Sequence, residues 1–272
     1  MTHTNTQSEK ADLFRRLHHG PEILILPNAW DVATARVFEL TGFSALGTTS
    51  AGIANSLGYP DGGFISRDEM IDVVARIVRA VAIPVTADVE FGYGDPVATA
   101  KAVAAAGAVG MNLEDTQGED TATLIDIPTQ TAIIRGIRDL GLPIVLNART
   151  DIYLAGIGDP ATRFARTVER LNAYREAGAD CLFAPGVRDV ETIAALAREV
   201  RGPLNILASA GGLPAGELQR LGVARMSIGS GPARATLGLV RRIATELREQ
   251  GSYQSMLDGQ IPYAEINQML KR

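Results

Sequence analysis

Asp88 and Glu90 stand two residues apart at the end of an apolar run that follows Pro84. On a strand, residues two apart point to the same side. Two carboxylates held there repel each other unless a cation lies between them. A hard divalent ion such as Mg²⁺ answers that need, since it takes oxygen ligands and keeps several waters. The plain alternative is a pair of acids in a solvated loop. Two neighbouring runs tip the balance toward chemistry: 109–114 ends in Glu114 and 143–149 ends in Arg149. Asp88, Glu90, Glu114 and Arg149 then share one end of a sheet. Such a ring either holds a barrel mouth by ion pairing or is kept for use, because buried charge is costly. Residues 48–52, Thr-Thr-Ser-Ala-Gly, form a small hydroxyl-rich turn whose amides could hold a carboxylate or phosphate.

The elements that must position these groups follow from punctuation. Apolar runs fall at 22–26, 44–48, 84–90, 109–114, 143–149, 181–184, 204–208 and 224–228, separated by helical patterns. They are near-continuously apolar, as in a sheet covered on both faces. The second, fourth, sixth and eighth runs each follow a helix closed by glycine (Gly42, Gly107, Gly178, Gly222), a residue that accepts the left-handed conformation beyond a helix end. The third, fifth and seventh begin at Pro84, Pro143 and Pro203. Eight strand–helix units in one chain predict a single (β/α)8 TIM barrel domain over 1–272, with a frayed tail at 1–10 and a helical extension at 252–272. The runner-up, an open doubly wound sheet, lacks a Gly-x-Gly-x-x-Gly after its first strand. In a barrel the site lies where the strands end. The loop after the second strand reads as irregular through Gly63 and carries Asp61.

Several residues take the structural reading. Asp31, Asp95 and Asp189 precede helices as N-caps. His18 and His19 lie in a polar first helix and are expected on the surface, and His3 in the tail. With no histidine at the mouth, a zinc site or a histidine-based triad is excluded. Cys181, the single cysteine, sits inside a strand as a core thiol and fits a reducing compartment. The formal charge of −5 is spread along the chain, without a basic block to bind nucleic acid. No run matches a membrane span or a signal peptide, so a cytoplasmic protein is expected.

The segments Asp88-Val89-Glu90-Phe91-Gly92-Tyr93-Gly94, Asn112-Leu113-Glu114-Asp115, Asn147-Ala148-Arg149-Thr150-Asp151 and Ser56-Leu57-Gly58-Tyr59-Pro60-Asp61 resemble the isocitrate lyase / phosphoenolpyruvate mutase superfamily. The resemblance implies a barrel whose C-terminal helix is exchanged between subunits of a homotetramer. It implies Mg²⁺, or Mn²⁺ in its place, held by Asp88 with Glu90 and Glu114 reaching it partly through water. It implies a 2-oxo acid substrate bound by Thr49, Ser50, Ala51, Arg149 and Asn205, with Arg149, Asp61 and Glu114 serving catalysis. Two departures narrow the activity. Where isocitrate and methylisocitrate lyases carry Lys-Arg-Cys-Gly-His, this chain reads Thr116-Gln117-Gly118-Glu119-Asp120, without the cysteine. After the sixth strand, where phosphonomutases carry a histidine, it has Pro185-Gly186. The expectation is a Mg²⁺-dependent lyase on a small 2-oxo or 2-hydroxy di- or tricarboxylic acid, oxaloacetate decarboxylation first. A P–C bond mutase or hydrolase and a non-catalytic 2-oxo acid binding barrel are the alternatives.

Overall fold

The computed structural model describes residues 6–117 and 120–271. Residues 1–5 of the expected tail, and Gly118 and Glu119 of the departing loop, lie outside them. The chain runs α1 (Gln7–Leu17), β1 (Leu24–Leu26), β2 (Asn28–Ala29), α2 (Val32–Leu40), β3 (Leu46–Thr48), α3 (Ser50–Ser56), α4 (Arg67–Ala80), β4 (Val85–Asp88), α5 (Pro96–Ala105), β5 (Gly110–Leu113), and a hairpin of β6 (Thr116–Gln117) and β7 (Asp120–Leu124). It continues α6 (Ile127–Arg138), β8 (Val145–Arg149), α7 (Pro160–Glu176), β9 (Cys181–Phe183), α8 (Val190–Glu199), β10 (Leu204–Leu207), α9 (Ala215–Arg220), β11 (Arg225–Ser227), α10 (Gly231–Gln250), α11 (Gln254–Leu257) and α12 (Tyr263–Met269).

Nine parallel strands form one sheet in the order β1-β11-β10-β9-β8-β5-β4-β3-β2. The expected count was eight. The ninth arises because the first strand is split at Pro27, which has no N–H to continue the ladder. β1 pairs with β11 and β2 pairs with β3, so the two edges of the sheet are halves of one segment and the ring is a TIM-like barrel. Asn28 staples the seam: its amide donates to the Thr48 carbonyl at 2.8 Å, and its carbonyl accepts from the Ile228 and Gly229 amides at 2.9 Å each. The helices pack outside over one large apolar cluster and three smaller ones. Asp31, Asp95 and Asp189 cap α2, α5 and α8 through their side chains, as their positions predict.

Three local expectations change. Ser50–Ser56 is a helix rather than loop, capped by Thr49 and held by burial of Ile53 and Ala54. The first helix starts at Gln7 rather than Ala11, because Thr6 and Glu9 form a capping box. Gln7 ties that end down, donating to the Ala104 and Ala108 carbonyls at 2.8 and 2.9 Å. The third change is His18, which is buried rather than on the surface. Phe14 on α1 and His18 at its C-terminal cap, four apart, face the underside of the barrel, with their rings edge to face and 4.8 Å apart.

His18 carries a pH dependence. Burial, followed by the nearby Arg225 charge, pushes its imidazole down to about 3. Between the ordinary 6.5 and about 3, the unfolded chain takes a proton that the folded chain refuses. Stability therefore falls as pH drops through that window, by about 1.4 kcal/mol per unit once fully developed. Urea unfolding of wild type and His18→Leu at pH 7 and pH 5 should differ in their pH response by about 2 kcal/mol. Parallel responses would assign the dependence elsewhere.

The end of the chain folds back on its own barrel, with Arg36 Nε donating to the Met269 carbonyl at 3.0 Å where α12 meets α2. Among the described residues, no helix is long and apolar enough to cross a membrane.

Candidate active site

The C-terminal ends of the strands open into a cavity of about 450 Å³. Asp61, Asp88, Glu90, Glu114, Arg149 and the turn Thr49, Ser50 and Ala51 all line it, as their places in the sequence predict. Asn205 does not. It is fully buried on β10, where its side-chain carbonyl accepts from Ser227 Oγ at 3.3 Å. Ser227, not Asn205, reaches the cavity. Asn205 is level with Arg225, one interior row below the level of Leu207 and Ser227 that lines the cavity, so direct substrate contact by Asn205 is corrected.

Asp88 is firmly oriented. Its Oδ2 accepts from the Ser50 backbone N–H at 3.0 Å and from Ser50 Oγ at 2.9 Å, and its Oδ1 accepts from Asn112 Nδ2 at 3.1 Å. Its own amide donates to Thr48 Oγ1 at 2.9 Å. Ser50 is therefore spent on Asp88 as well as facing the cavity. Asp88, Asn112 and Asn147 are register partners across β4, β5 and β8, so one row of the barrel sets this carboxylate.

Glu90 follows in a left-handed conformation, φ 51°, as does Tyr93 at φ 53°. Such strain in residues other than glycine costs about 1–3 kcal/mol each and gathers at functional sites. Between them Gly92 is required, since at φ +89° a Cβ would come within 2.6 Å of Pro96. Tyr93 donates to Glu90 Oε1 at 3.2 Å, while Glu90 Oε2 is buried with no partner. Burial, then the charges of Asp88 and Asp61, push Glu90 up to about 7. Burial and Asp88 likewise push Asp61 above the usual carboxylate range.

Glu114 meets Arg149 Nη1 at 2.6 Å. Burial still holds Glu114 well above its ordinary value against that guanidinium, with Asp151, Asp88 and Glu90 adding to it. Arg149 is more committed than a free carboxylate grip would be. Its Nε and Nη2 donate to the two oxygens of Asp151 at 2.5 and 3.0 Å, and its guanidinium carbon lies 5.8 Å from the centre of the Phe183 ring. Asp151 is anchored in turn, accepting from Thr116 Oγ1 at 3.2 Å, while its amide donates to Asp115 Oδ1 at 3.1 Å. Asp115 belongs to the scaffold, not the cavity. Its Oδ2 accepts from Tyr174 at 2.7 Å and Arg170 at 3.2 Å, both on α7.

Asp151, Asn112 and Ser227 carry parts of the site that the sequence reading left without a role. The signal was the period of two: Asn112 and Glu114 share one strand face, as do Asn147, Arg149 and Asp151. Arg234, in the first turn of α10, also lines the cavity.

Among the described residues, no three acidic, histidine or cysteine side chains converge closely enough to ligate one ion unaided. Asp88, Glu90 and Glu114 are thus not a direct trio. The donor set still fits Mg²⁺, which keeps most of its waters and needs only one or two carboxylates. The unpartnered Glu90 Oε2 and the raised proton affinity of three cavity acids are the marks of a site short of positive charge.

The family model described as phosphoenolpyruvate phosphomutase matches residues 14–248. A solved structure from Burkholderia cenocepacia J2315, described as a candidate lyase/mutase, superposes with a TM-score of 0.90 at 40% identity, covering 98% of this chain and 97% of that one. The 2-methylisocitrate lyase of Halalkalibacterium halodurans is 31% identical over 209 residues, covering 73% of this chain and 67% of that protein. Oxaloacetate decarboxylase 2 of Pseudomonas fluorescens is 28% identical over 251 residues, covering 88% of this chain and 83% of that protein. The acid ring at the mouth of the barrel and a family match running from Phe14 in α1 to Arg248 in α10 lead to one placement: the chain belongs to the phosphoenolpyruvate phosphomutase family, in the isocitrate lyase/PEP mutase superfamily.

Proposed function

We propose that this chain is a Mg²⁺-dependent lyase that works on a small 2-oxo or 2-hydroxy di- or tricarboxylate through an enolate, with oxaloacetate decarboxylation as its first candidate reaction. The observation that carries the reading is Asp88, fixed by three hydrogen bonds and set among acids of which Glu114 and Asp151 are ion-paired to Arg149. Asp88 would hold the ion, with Glu90 and Glu114 reaching it through water. Bound Mg²⁺ supplies a Lewis acid beside the oxygen that takes up charge as the enolate forms.

The chain's own groups do the rest. Arg149, locked by Asp151 and Glu114, presents fixed positive charge where charge develops and has no reorganisation to make at that moment. The turn Thr49, Ser50 and Ala51 faces a substrate carboxylate. Asp61, holding its proton more firmly than a free carboxyl group, is placed to return a proton to the enolate carbon, so that oxaloacetate and a proton become pyruvate and carbon dioxide. The loop from Thr116 has no cysteine, and this reaction needs none. A homotetramer and a cytoplasmic location belong to the same proposal.

Pyruvate release from oxaloacetate, followed with purified protein and corrected for the metal's own background, tests it. The expected result is a protein-dependent rate that EDTA removes and Mg²⁺ or Mn²⁺ restores. A rate indifferent to EDTA, or none on oxaloacetate beside rapid turnover of phosphonopyruvate, would overturn it.

A further inference from the structure

Arg225 lies inside the barrel, fully buried, without a carboxylate partner among the described residues. Its Nε and Nη1 have no hydrogen-bond acceptor, and the Phe14 ring lies under the guanidinium at 6.0 Å. An isolated buried charge is expensive. One contact leads out of this pocket. Arg225 Nη2 donates to Asn112 Oδ1 at 3.4 Å. Asn147 Nδ2 donates to the same oxygen at 2.8 Å. With its carbonyl claimed twice, Asn112 can present only its amide to Asp88 Oδ1, at 3.1 Å. A cation thus stands directly behind the carboxylate proposed to hold the metal, one side chain away, in a space closed to counter-ions.

We propose that Arg225 is a built-in counter-cation to the metal-binding carboxylate, coupled to it through Asn112, and that it holds the affinity of this site for divalent metal below what the acid ring alone would give. The inference rests on the metal-site reading above. Arg225 touches neither cavity nor substrate, so it is a positioning residue. Its charge and the metal's repel each other through the interior, where screening by salt is weak. Removing the charge should therefore tighten metal binding. Removing only the shape of the side chain should not.

Mn²⁺ binding to the purified metal-free protein, read by electron paramagnetic resonance and by calorimetry with Mg²⁺, separates the cases without using activity. Wild type, Arg225→Lys, Arg225→Gln and Arg225→Met are compared, with the unfolding temperature of each. Glutamine keeps a polar amide but carries no charge, and it serves if the methionine variant does not fold. The expected result is binding at least threefold tighter in the glutamine variant, while lysine stays within twofold of wild type. Glutamine binding equal to or weaker than wild type would overturn the proposal. Absence of any binding to wild type would instead remove the metal reading on which it stands.

Discussion

Asp88→Ala is expected to abolish metal-dependent turnover, by a factor on the order of 10³ or more, and to leave a folded protein. The size follows from the several kcal/mol of charge stabilisation a bound metal supplies, at about 1.4 kcal/mol per tenfold. The stability follows from the surroundings. The substitution strands the Ser50 amide and hydroxyl and the Asn112 amide, which cavity water can reach. It also removes one of the charges acting on Glu90, Asp61 and Glu114, so part of the repulsion in the ring is relieved. The diagnostic is metal-linked stability. A ligand at a hundredfold its Kd stabilises by about 2.7 kcal/mol, worth several degrees of melting temperature in a protein this size. Wild type should show that rise with Mg²⁺, and Asp88→Ala should not. An alanine variant that keeps both the rise and the rate would place the metal elsewhere in the mouth.

Much of this site is legible in the sequence because parallel strands expose a simple rule. Alternate residues at a strand end face one interior, so Asp88 with Glu90, and Arg149 with Asp151, are brought together by spacing alone. What spacing does not give is pairing. Arg149 could equally have reached for substrate or for a neighbour, and only the barrel's curvature settles it on Asp151 and Glu114. Depth is hidden in the same way. Asn205 and Arg225 are register partners on interior-facing rows, yet both lie below the cavity, because the strands are staggered and short. His18 fails for another reason. The polar composition of α1 describes its outer side, whereas its inner face is chosen by what lies under the barrel. The Ser50–Ser56 helix is weak by propensity and exists through its Thr49 cap and its buried face, neither of which composition reveals.

Arg149 gives the second large effect, and two substitutions divide its roles. Arg149→Lys keeps the positive charge but loses the planar fork that grips both oxygens of Asp151. The remaining ammonium cannot also span to Glu114, so the charge is no longer held at one point. Loss of one fixed electrostatic donor at a developing oxyanion costs about 10²–10³ in kcat, and that fall is expected here with the fold intact. Arg149→Met goes further. It leaves Glu114 and Asp151 facing each other in the interior without their cation, and breaking such a buried pair destabilises by about 3–5 kcal/mol. The methionine variant should therefore lose activity and melt well below wild type, with the lysine variant between them in stability but close to the methionine variant in activity. If Arg149→Lys turned over at the wild-type rate, the arginine would be an ion-pair brace for the barrel mouth and no more. If both variants were equally unstable, the fork on Asp151, not the charge, would be what holds β8 to the hairpin that follows β5.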